Sequence, residues 1–433
     1  MVFSSAPKSI EVLGSACLVL GFIHSFLVSG VRALGDRFKK RSFAYRTLHL
    51  LGEIEFVFAF WAFIFVILAL FIRDARVGSY IGSLSFDEVV FLPVILILAC
   101  TEPVLELASS LLLGVGDWIA RNLGFSKKPL QRHSVRFFVL MVAGPVLGSL
   151  ITEPAAMAVT ARLLRREYFS SDRSLKFKYA AIALLFINIS IGGTLTHFAA
   201  PPVLMVAKAW GWTSAFMFLH FGWKALVSSA VLVCIFLLRF KKEFKQLPSS
   251  FSIRDPRSSL GSMMVHLALM GLVIKCIHHP WINLEILLLY IAYRFFFEGD
   301  VRRLQIKDGL LVGLFLGGIV ILGGQQAWWL KAVLASLNDL GIFVGATLLT
   351  GVVDNAALTF LGSQVPDLAE STKIVLMSGA VIGGGLTLVA NAPNPAGYQI
   401  LKDSFGAKGF QPLRLLVHAI LPTTIVALLF WFL

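Results

Sequence analysis

Apolar runs recur along the whole chain, and most reach or approach the about 18 residues needed to cross a hydrocarbon layer of about 30 Å. Hydropathy and helix breakers predict spans at 10–31, 48–72, 84–100, 179–208, 214–238, 260–278, 281–298, 308–324, 374–401 and 411–433. Two further segments, 135–166 and 340–366, do not fit as simple crossings, because polar residues interrupt each at its centre: "SLITEPAAMA" from Ser149 and "TGVVDNAALT" from Thr350. Each is long enough for two short helices and suits a re-entrant hairpin, whose tip is tolerated at membrane depth only when buried in protein or lining a wet cavity. The predicted fold class is an all-α polytopic membrane protein with about 10 transmembrane spans, two re-entrant hairpins and broken helices.

Composition supports the membrane class: 57% of the residues are hydrophobic and 14% charged, too little polar surface for a soluble chain of this length. The net charge of +14 raises nucleic acid as a partner, but the basic residues follow the spans rather than one module. With the N-terminus outside and each hairpin returning to its own side, segments 32–47, 121–136, 162–178, 239–257, 294–307 and 402–414 fall inside and hold most of the Lys and Arg. Lys8, Arg73, Arg76, Lys275, Lys331 and Lys373 fall outside, and Lys208 and Lys224 lie within spans. This predicts a multi-pass protein of a bacterial inner (plasma) membrane, with the lipid bilayer as partner, no nucleic acid, and both termini outside. The apolar segment after Lys8 is expected to be a first span rather than a cleaved signal. Cys17, Cys100, Cys234 and Cys276 lack metal-type spacing and are expected to be small buried side chains.

The layout contains a repeat. Residues 1–238 form a first half (hairpin 135–166, broken helix 179–208), 239–259 a basic cytoplasmic linker, and 260–433 a second half (hairpin 340–366, broken helix 374–401). The first half begins outside and the second inside, which makes the repeat inverted, as in many secondary transporters. "GGTLTHFAAPPV" from Gly192 and "GGGLTLVANAPN" from Gly383 share both leading glycines, the Leu-Thr pair, an Ala and a Pro. Glu153-Pro154-Ala155-Ala156 aligns with Asp354-Asn355-Ala356-Ala357, and a weaker pair joins Thr101-Glu102-Pro103 to Gly324-Gln325-Gln326.

A helix broken at mid-membrane exposes N–H groups on one side and carbonyls on the other, which can hold an ion or a polar solute. Gly192, Gly193, Gly383, Gly384 and Gly385 allow close backbone approach, and Pro202, Pro393 and Pro395 remove helix hydrogen bonds. Thr194, Thr196 and Thr387 supply hydroxyls, and Asn355, Asn391 and Asn394 supply amides. Glu153 and Asp354 carry the sharper signal, since an intramembrane carboxyl is costly and marks function. Such a group holds either a proton or a cation, a competition sufficient for exchange. The candidate Na+ site is Asp354, Asn355, Thr387 and Asn391. Packing at a kink, or a brace at a hairpin tip, is the bland alternative for each. Glu53, Glu55, His24 and Lys224 lie outside the repeated core, where pairing is the expected role. Glu102 and Glu106 share a helical face that either lines a proton path or lies at the membrane surface, and His197 has no counterpart in the second half. No H-E-x-x-H, G-x-S-x-G or phosphate-loop motif is present, so the chain is not expected to be an enzyme or to need a cofactor beyond transported Na+ and H+.

"GVVDNAALT" followed by "GGGLTLVANAPNPAGY" resembles the ion transporter superfamily, most closely its Na+/H+ antiporters of the NhaD/arsenite-permease-like type. That resemblance implies a homodimer whose scaffold carries mobile transport domains, each combining two hairpins with two broken helices, and an elevator-type alternating-access movement. It also implies ion and substrate sites at Thr152 to Ala156, Gly192 to Thr196, Asp354 to Ala357 and Gly383 to Asn394. Dicarboxylate-carrying relatives have uncharged Ser-Asn-Thr tips, whereas this chain has Glu153 and Asp354, and its first half departs from the second with Pro154 for Asn355 and Ala200-Pro201 for Asn391-Ala392. The expected function is exchange of a monovalent cation, Na+, for H+. A cation-coupled carrier of an organic anion or arsenite, an ion channel, and a non-transporting membrane receptor or scaffold are the alternatives. Of the two sites, the second, with both asparagines, is expected to bind the cation more tightly.

Overall fold

The computed structural model describes residues 8–72, 76–125, 128–169, 173–245, 258–298, 304–406 and 409–433. The described residues contain helices and no strand. The helices used below are α1 (Lys8–Gly35), α2 (Ile54–Phe71), α3 (Asp87–Ala99), α4 (Glu102–Asn122), α5 (Pro129–Ile151), α6 (Glu153–Tyr168), α7 (Leu175–Gly192), α8 (Pro201–Trp210), α9 (Trp223–Arg239), α10 (Leu260–Lys275), α11 (Pro280–Tyr293), α12 (Ile306–Gly323), α13 (Asp339–Thr350), α14 (Asn355–Ser363), α15 (Glu370–Gly383), α16 (Asn394–Leu401) and α17 (Pro412–Phe432).

Among the described residues, 9 helices are long and apolar enough to cross a membrane, or 10 when the bent pair Val77–Ser83 and Asp87–Ala99 is one span. The total is close to the expected one, but the set differs. The 21-residue α4 and the 23-residue α5 both qualify, although α4 is absent from the predicted spans and α5 reaches beyond a half-membrane arm. The predicted span 260–278 is the shorter α10, and 374–401 is two helices rather than one.

The chain divides into two compact units, each drawn from three separate stretches of the sequence. The first comprises Met1–Val94, Lys275–Asn338 and Phe360–Leu368. Its centre is the contact of α2 with α12, where Gly318 lies so close to Phe58 and Ala59 that an added Cβ would sit 2.5 Å from the Ala59 nitrogen. Phe58 also meets Phe22 of α1 edge to face at 5.2 Å and Phe315 of α12 at 5.5 Å. Polar side chains here are spent on bracing. Glu53 pairs with Arg32 and, at 3.2 Å, with Lys307, and the Trp61 indole donates to His24 at 3.3 Å. Buried Gln326 accepts from Ser15 at 2.8 Å and Trp329 at 2.7 Å.

The second unit comprises Ile95–Ile274, Asp339–Thr359 and Ala369–Leu433, and carries both polar tips and both helix breaks. In its first tip, α5 and α6 fold back on each other through small residues, Gly144 facing Thr160 and Gly148 facing Ala156. Thr152 makes the turn with a φ of 78°, rare for a branched residue, and Pro154 starts α6 where its missing N–H costs nothing. The second tip is built differently. There α13 packs on α15 and not along α14, with Gly379 against the Phe343 carbonyl and Gly383 against that of Thr347. Segment 340–366 is therefore a helix, a break and a second, shorter helix.

The other polar residues flagged in the sequence brace this unit. Glu102 pairs with Arg162 at 3.3 Å, Glu106 accepts from the Ser258 amide at 2.9 Å, and Lys224 donates to the Phe430 carbonyl at 3.2 Å. Cys17 and Cys100 are buried as expected, but Cys276 is only partly so and Cys234 is exposed on the protein surface, because α9 turns that face outward.

Replacing Gly318 with Leu is expected to overpack α2 against α12 and destabilise the protein by about 1–3 kcal/mol. Gly345→Ala, at a glycine with nothing within 4 Å of the added Cβ, is expected to be neutral or slightly stabilising. The thermal unfolding midpoints of the two detergent-purified variants check this.

Candidate functional site

Helix α7 runs through an apolar stretch from the Ser174 cap, whose hydroxyl accepts from the Phe177 amide at 3.2 Å, and stops at Gly192. A single 3-10 turn, Gly193–Leu195, and a bent segment follow before Pro201-Pro202 restart the chain as α8. Helix α15 likewise ends at Gly383, and the chain stays irregular until Asn394-Pro395 begin α16, with Pro393 as its cap. Both predicted breaks are thus present, and proline restarts the helix in each.

Each break is tied to the arm beside it. Ser149 of α5 donates to the Gly192 carbonyl at 2.8 Å and accepts from the Leu195 amide at 3.0 Å, while Thr196 donates to the Ser149 carbonyl at 2.7 Å. In the second half Thr387 donates to the Gly351 carbonyl at 2.9 Å. Thr194 closes its own helix end by donating to Ile191 at 2.6 Å. The Asn394 amide donates at 2.8 Å to both Gly384 and Thr387, pinning the irregular segment to itself.

The glycines bring the two broken helices together. A Cβ on Gly385 would lie 2.6 Å from the Ile187 Cα, and one on Gly384 would overlap Ser190 and lie 2.9 Å from the Asn355 amide nitrogen. Gly192 sits against the Pro145 backbone, and Gly193 leaves the space that the Glu153 carboxylate fills. These positions need glycine because backbone or carboxylate occupies the place of a side chain, not because of unusual backbone angles.

Glu153 is the centre of this arrangement. It is fully buried, at 0% exposure, in the first turn of α6, where the helix dipole favours negative charge. Its Oε2 accepts from the Asn391 amide at 3.0 Å, and its Oε1 has no hydrogen-bond partner among the described residues. The carboxylate also lies within electrostatic reach of Asp354. The tip of the first half therefore meets the break of the second.

The second tip crosses over in the same way. Asn355 is fully buried, its backbone N–H donating to the Ala390 carbonyl at 3.1 Å and its side-chain amide to Ser190 of α7 at 3.4 Å. Asp354 is only partly buried, and its Oδ1 caps α14 by accepting from Ala356 at 2.8 Å and Ala357 at 3.3 Å. Of the four predicted Na+ ligands, Asn391 lies against Glu153, and Asn355 is joined through its backbone to Ala390, the residue before Asn391. Thr387 is used on Gly351, and Asn391 gives its amide to Glu153 rather than to Asp354. The side-chain oxygens of Asn355, Asn391 and Asn394 are buried without partners among the described residues. Pro202 takes part only through its carbonyl, which accepts from Thr359 at 2.9 Å. His197 lies aside, against Ser214 at 2.8 Å.

Three participants escaped the sequence analysis: Ser149, Asn188 and Ser190. Asn188 donates to the Met141 carbonyl at 2.8 Å, and Ser190 donates to that of Val381 at 2.6 Å while receiving Asn355. The available signal was "NIS" in an otherwise apolar run directly before Gly192: polar residues at the end of a helix about to break.

Over residues 9–433 the sequence matches the family model described as "Putative Na+/H+ antiporter". No curated protein matches the chain at a significant level.

Asn391→Leu is expected to lower stability by about 1–3 kcal/mol by leaving Glu153 Oε2 buried without a donor, and the double variant Asn391→Leu/Glu153→Leu to recover part of that loss. Thermal midpoints of the single and double variants test the coupling.

Proposed function

Because the chain belongs to this Na+/H+ antiporter family, an integral membrane transporter family rather than an enzyme family, we propose that it exchanges Na+ for H+ at Glu153. The carrying observation is a fully buried carboxylate whose free oxygen adjoins a helix break containing unsatisfied amide oxygens. A bare carboxylate in such a place is costly. A proton neutralises it, and so does a cation that also takes the asparagine oxygens as ligands. The two cannot occupy it together, so loading one releases the other, and the same group serves both halves of the exchange.

In this reading Glu153 binds the proton or the cation, and Asn391 and Asn355 offer oxygen to the cation. Asp354 adds negative field while capping α14. Thr194, Thr196, Thr387 and Asn394 hold the breaks open, which moves the proposed Na+ site from Asp354 toward Glu153. Na+ and H+ are cargo here, and no resident cofactor is invoked.

The inverted repeat is part of the proposal. In the first half α5 lies parallel to α7, with Asn188 bonded to Met141 and Gly192 against Pro145. In the second α13 lies parallel to α15, with Gly379 against Phe343 and Gly383 against Thr347. Thr196 and Thr387 brace their breaks by equivalent bonds. These matched contacts also support kinship with the wider ion transporter superfamily. Re-entrant tips, an elevator-type movement, a homodimer, and an inner-membrane location with both termini outside belong to the same proposal. Carriage of an organic anion or arsenite is disfavoured, because two acidic tips repel an anion unless both are neutralised.

Proteoliposomes holding an imposed pH gradient test the proposal. Added Na+ or Li+ is expected to dissipate the gradient through the wild type, with a loss of at least about 100-fold in Glu153→Gln, as expected for removing the transported proton's carrier. A smaller loss is expected in Asp354→Asn. No cation response in the wild type, or an unimpaired Glu153→Gln, contradicts it.

A further inference from the structure

A second feature lies away from the ion site. Helices α7, α9 and α17 enclose a cavity of about 240 Å3, and its lining changes character along its length. One end carries Lys176, Arg239 and His418, and the other carries Leu184, Leu232 and Ile425. The three polar positions lie at one level, since Phe177 packs on Phe236 at 5.3 Å and on Phe240 at 5.5 Å, and Tyr179 on His418 at 5.6 Å. From there each helix descends seven or eight residues into apolar side chains, a depth of about 10–12 Å.

Among the described residues, the charges at this mouth are unmatched. Lys176 and Arg239 are exposed, and neither has an acidic partner among the described residues. A larger, arginine-rich pocket beside α6 offers a contrast. There Arg162 pairs with Glu102 at 3.3 Å, Arg165 with Asp403 at 3.6 Å, Arg166 with Glu167 at 2.5 Å and Arg173 with Glu243 at 3.5 Å. Its charge is met within the protein, whereas the mouth between α7, α9 and α17 presents uncompensated cations above an apolar slot.

We propose that this groove binds one anionic phospholipid, its phosphate against Lys176 and Arg239 and an acyl chain lying toward Leu184, Leu232 and Ile425. A soluble phosphate would use the mouth and leave the slot empty, and a neutral lipid would fill the slot and leave the cations unmatched. Only a ligand with both features satisfies both ends, and basic pockets between membrane helices recognise such headgroups. Since α7 carries the first break, the lipid would wedge the foot of that broken helix against α9 and α17. This proposal does not depend on the ion-site reading, because its test reads lipid retention and not transport.

The full-length protein in neutral detergent is titrated with phosphatidylglycerol, phosphatidylcholine or glycerol phosphate, and bound molecules are counted by native mass spectrometry. One phosphatidylglycerol per chain is expected to be retained preferentially, with affinity about 30-fold weaker in Lys176→Gln/Arg239→Gln, the loss of two headgroup cations. Leu421 of α17 also lines the slot, and Leu421→Trp, which narrows it with its charges intact, is expected to weaken phosphatidylglycerol binding as well. Thermal midpoints near wild type confirm that the variants are folded. Equal retention of the two lipids, undiminished phosphatidylglycerol binding in either variant, or equally tight glycerol phosphate binding overturns the proposal.

Discussion

The hydrogen bond from Asn391 to the buried Glu153 carboxylate is the interaction on which the rest of the second unit depends. It joins residues 238 positions apart in the sequence and explains otherwise costly features around it. Gly193 is needed because the carboxylate fills the space of its side chain. The break between Gly383 and Asn394 is needed because a continuous helix would hold its polar groups in its own ladder rather than turn Asn391 inward. The placement of Glu153 in the first turn of α6 lets the helix dipole carry part of the charge.

The two helix breaks are braced alike and differ in the polar tips that meet them. Thr196 and Thr387 brace their breaks alike, and a glycine in each half lets the first arm approach the broken helix closely. The acidic tips differ by one position of helix geometry. Glu153 is the first residue of its helix, one methylene longer, and reaches inward, whereas Asp354 is the cap and turns back to its own amides. The first tip presents a carboxylate to Asn391, and the second presents the Asn355 amide to Ser190.

The sequence made the breaks and tips legible because glycine, proline and acid are out of place in apolar runs, and Gly192, Gly383, Glu153 and Asp354 lie where those anomalies fall. Helix α4 was missed because Glu102, Glu106 and Asp117 disguise an apolar face, and Asp117 is matched by Arg132 and Arg136 only after folding. The crossing of Glu153 to Asn391, and of Asn355 to Ser190, was not legible. Local patterns suggest that a tip faces the break of its own half, and only the packing of Gly384 and Gly385 onto α7 brings the opposite pairs together. For the same reason the sequence pointed to Asp354 as the principal carboxylate: nothing local distinguishes a capping acid from a buried one.

The central claim is that proton and Na+ compete for one carboxylate, Glu153. The most direct measurement is the number of protons released when Na+ binds to the purified protein in weakly buffered solution, across a pH series. The account predicts proton release coupled to Na+ binding, an apparent Na+ affinity that falls as pH falls, and loss of both in Glu153→Gln. Na+ binding without proton release and with an affinity independent of pH, or release undiminished in Glu153→Gln, would contradict it.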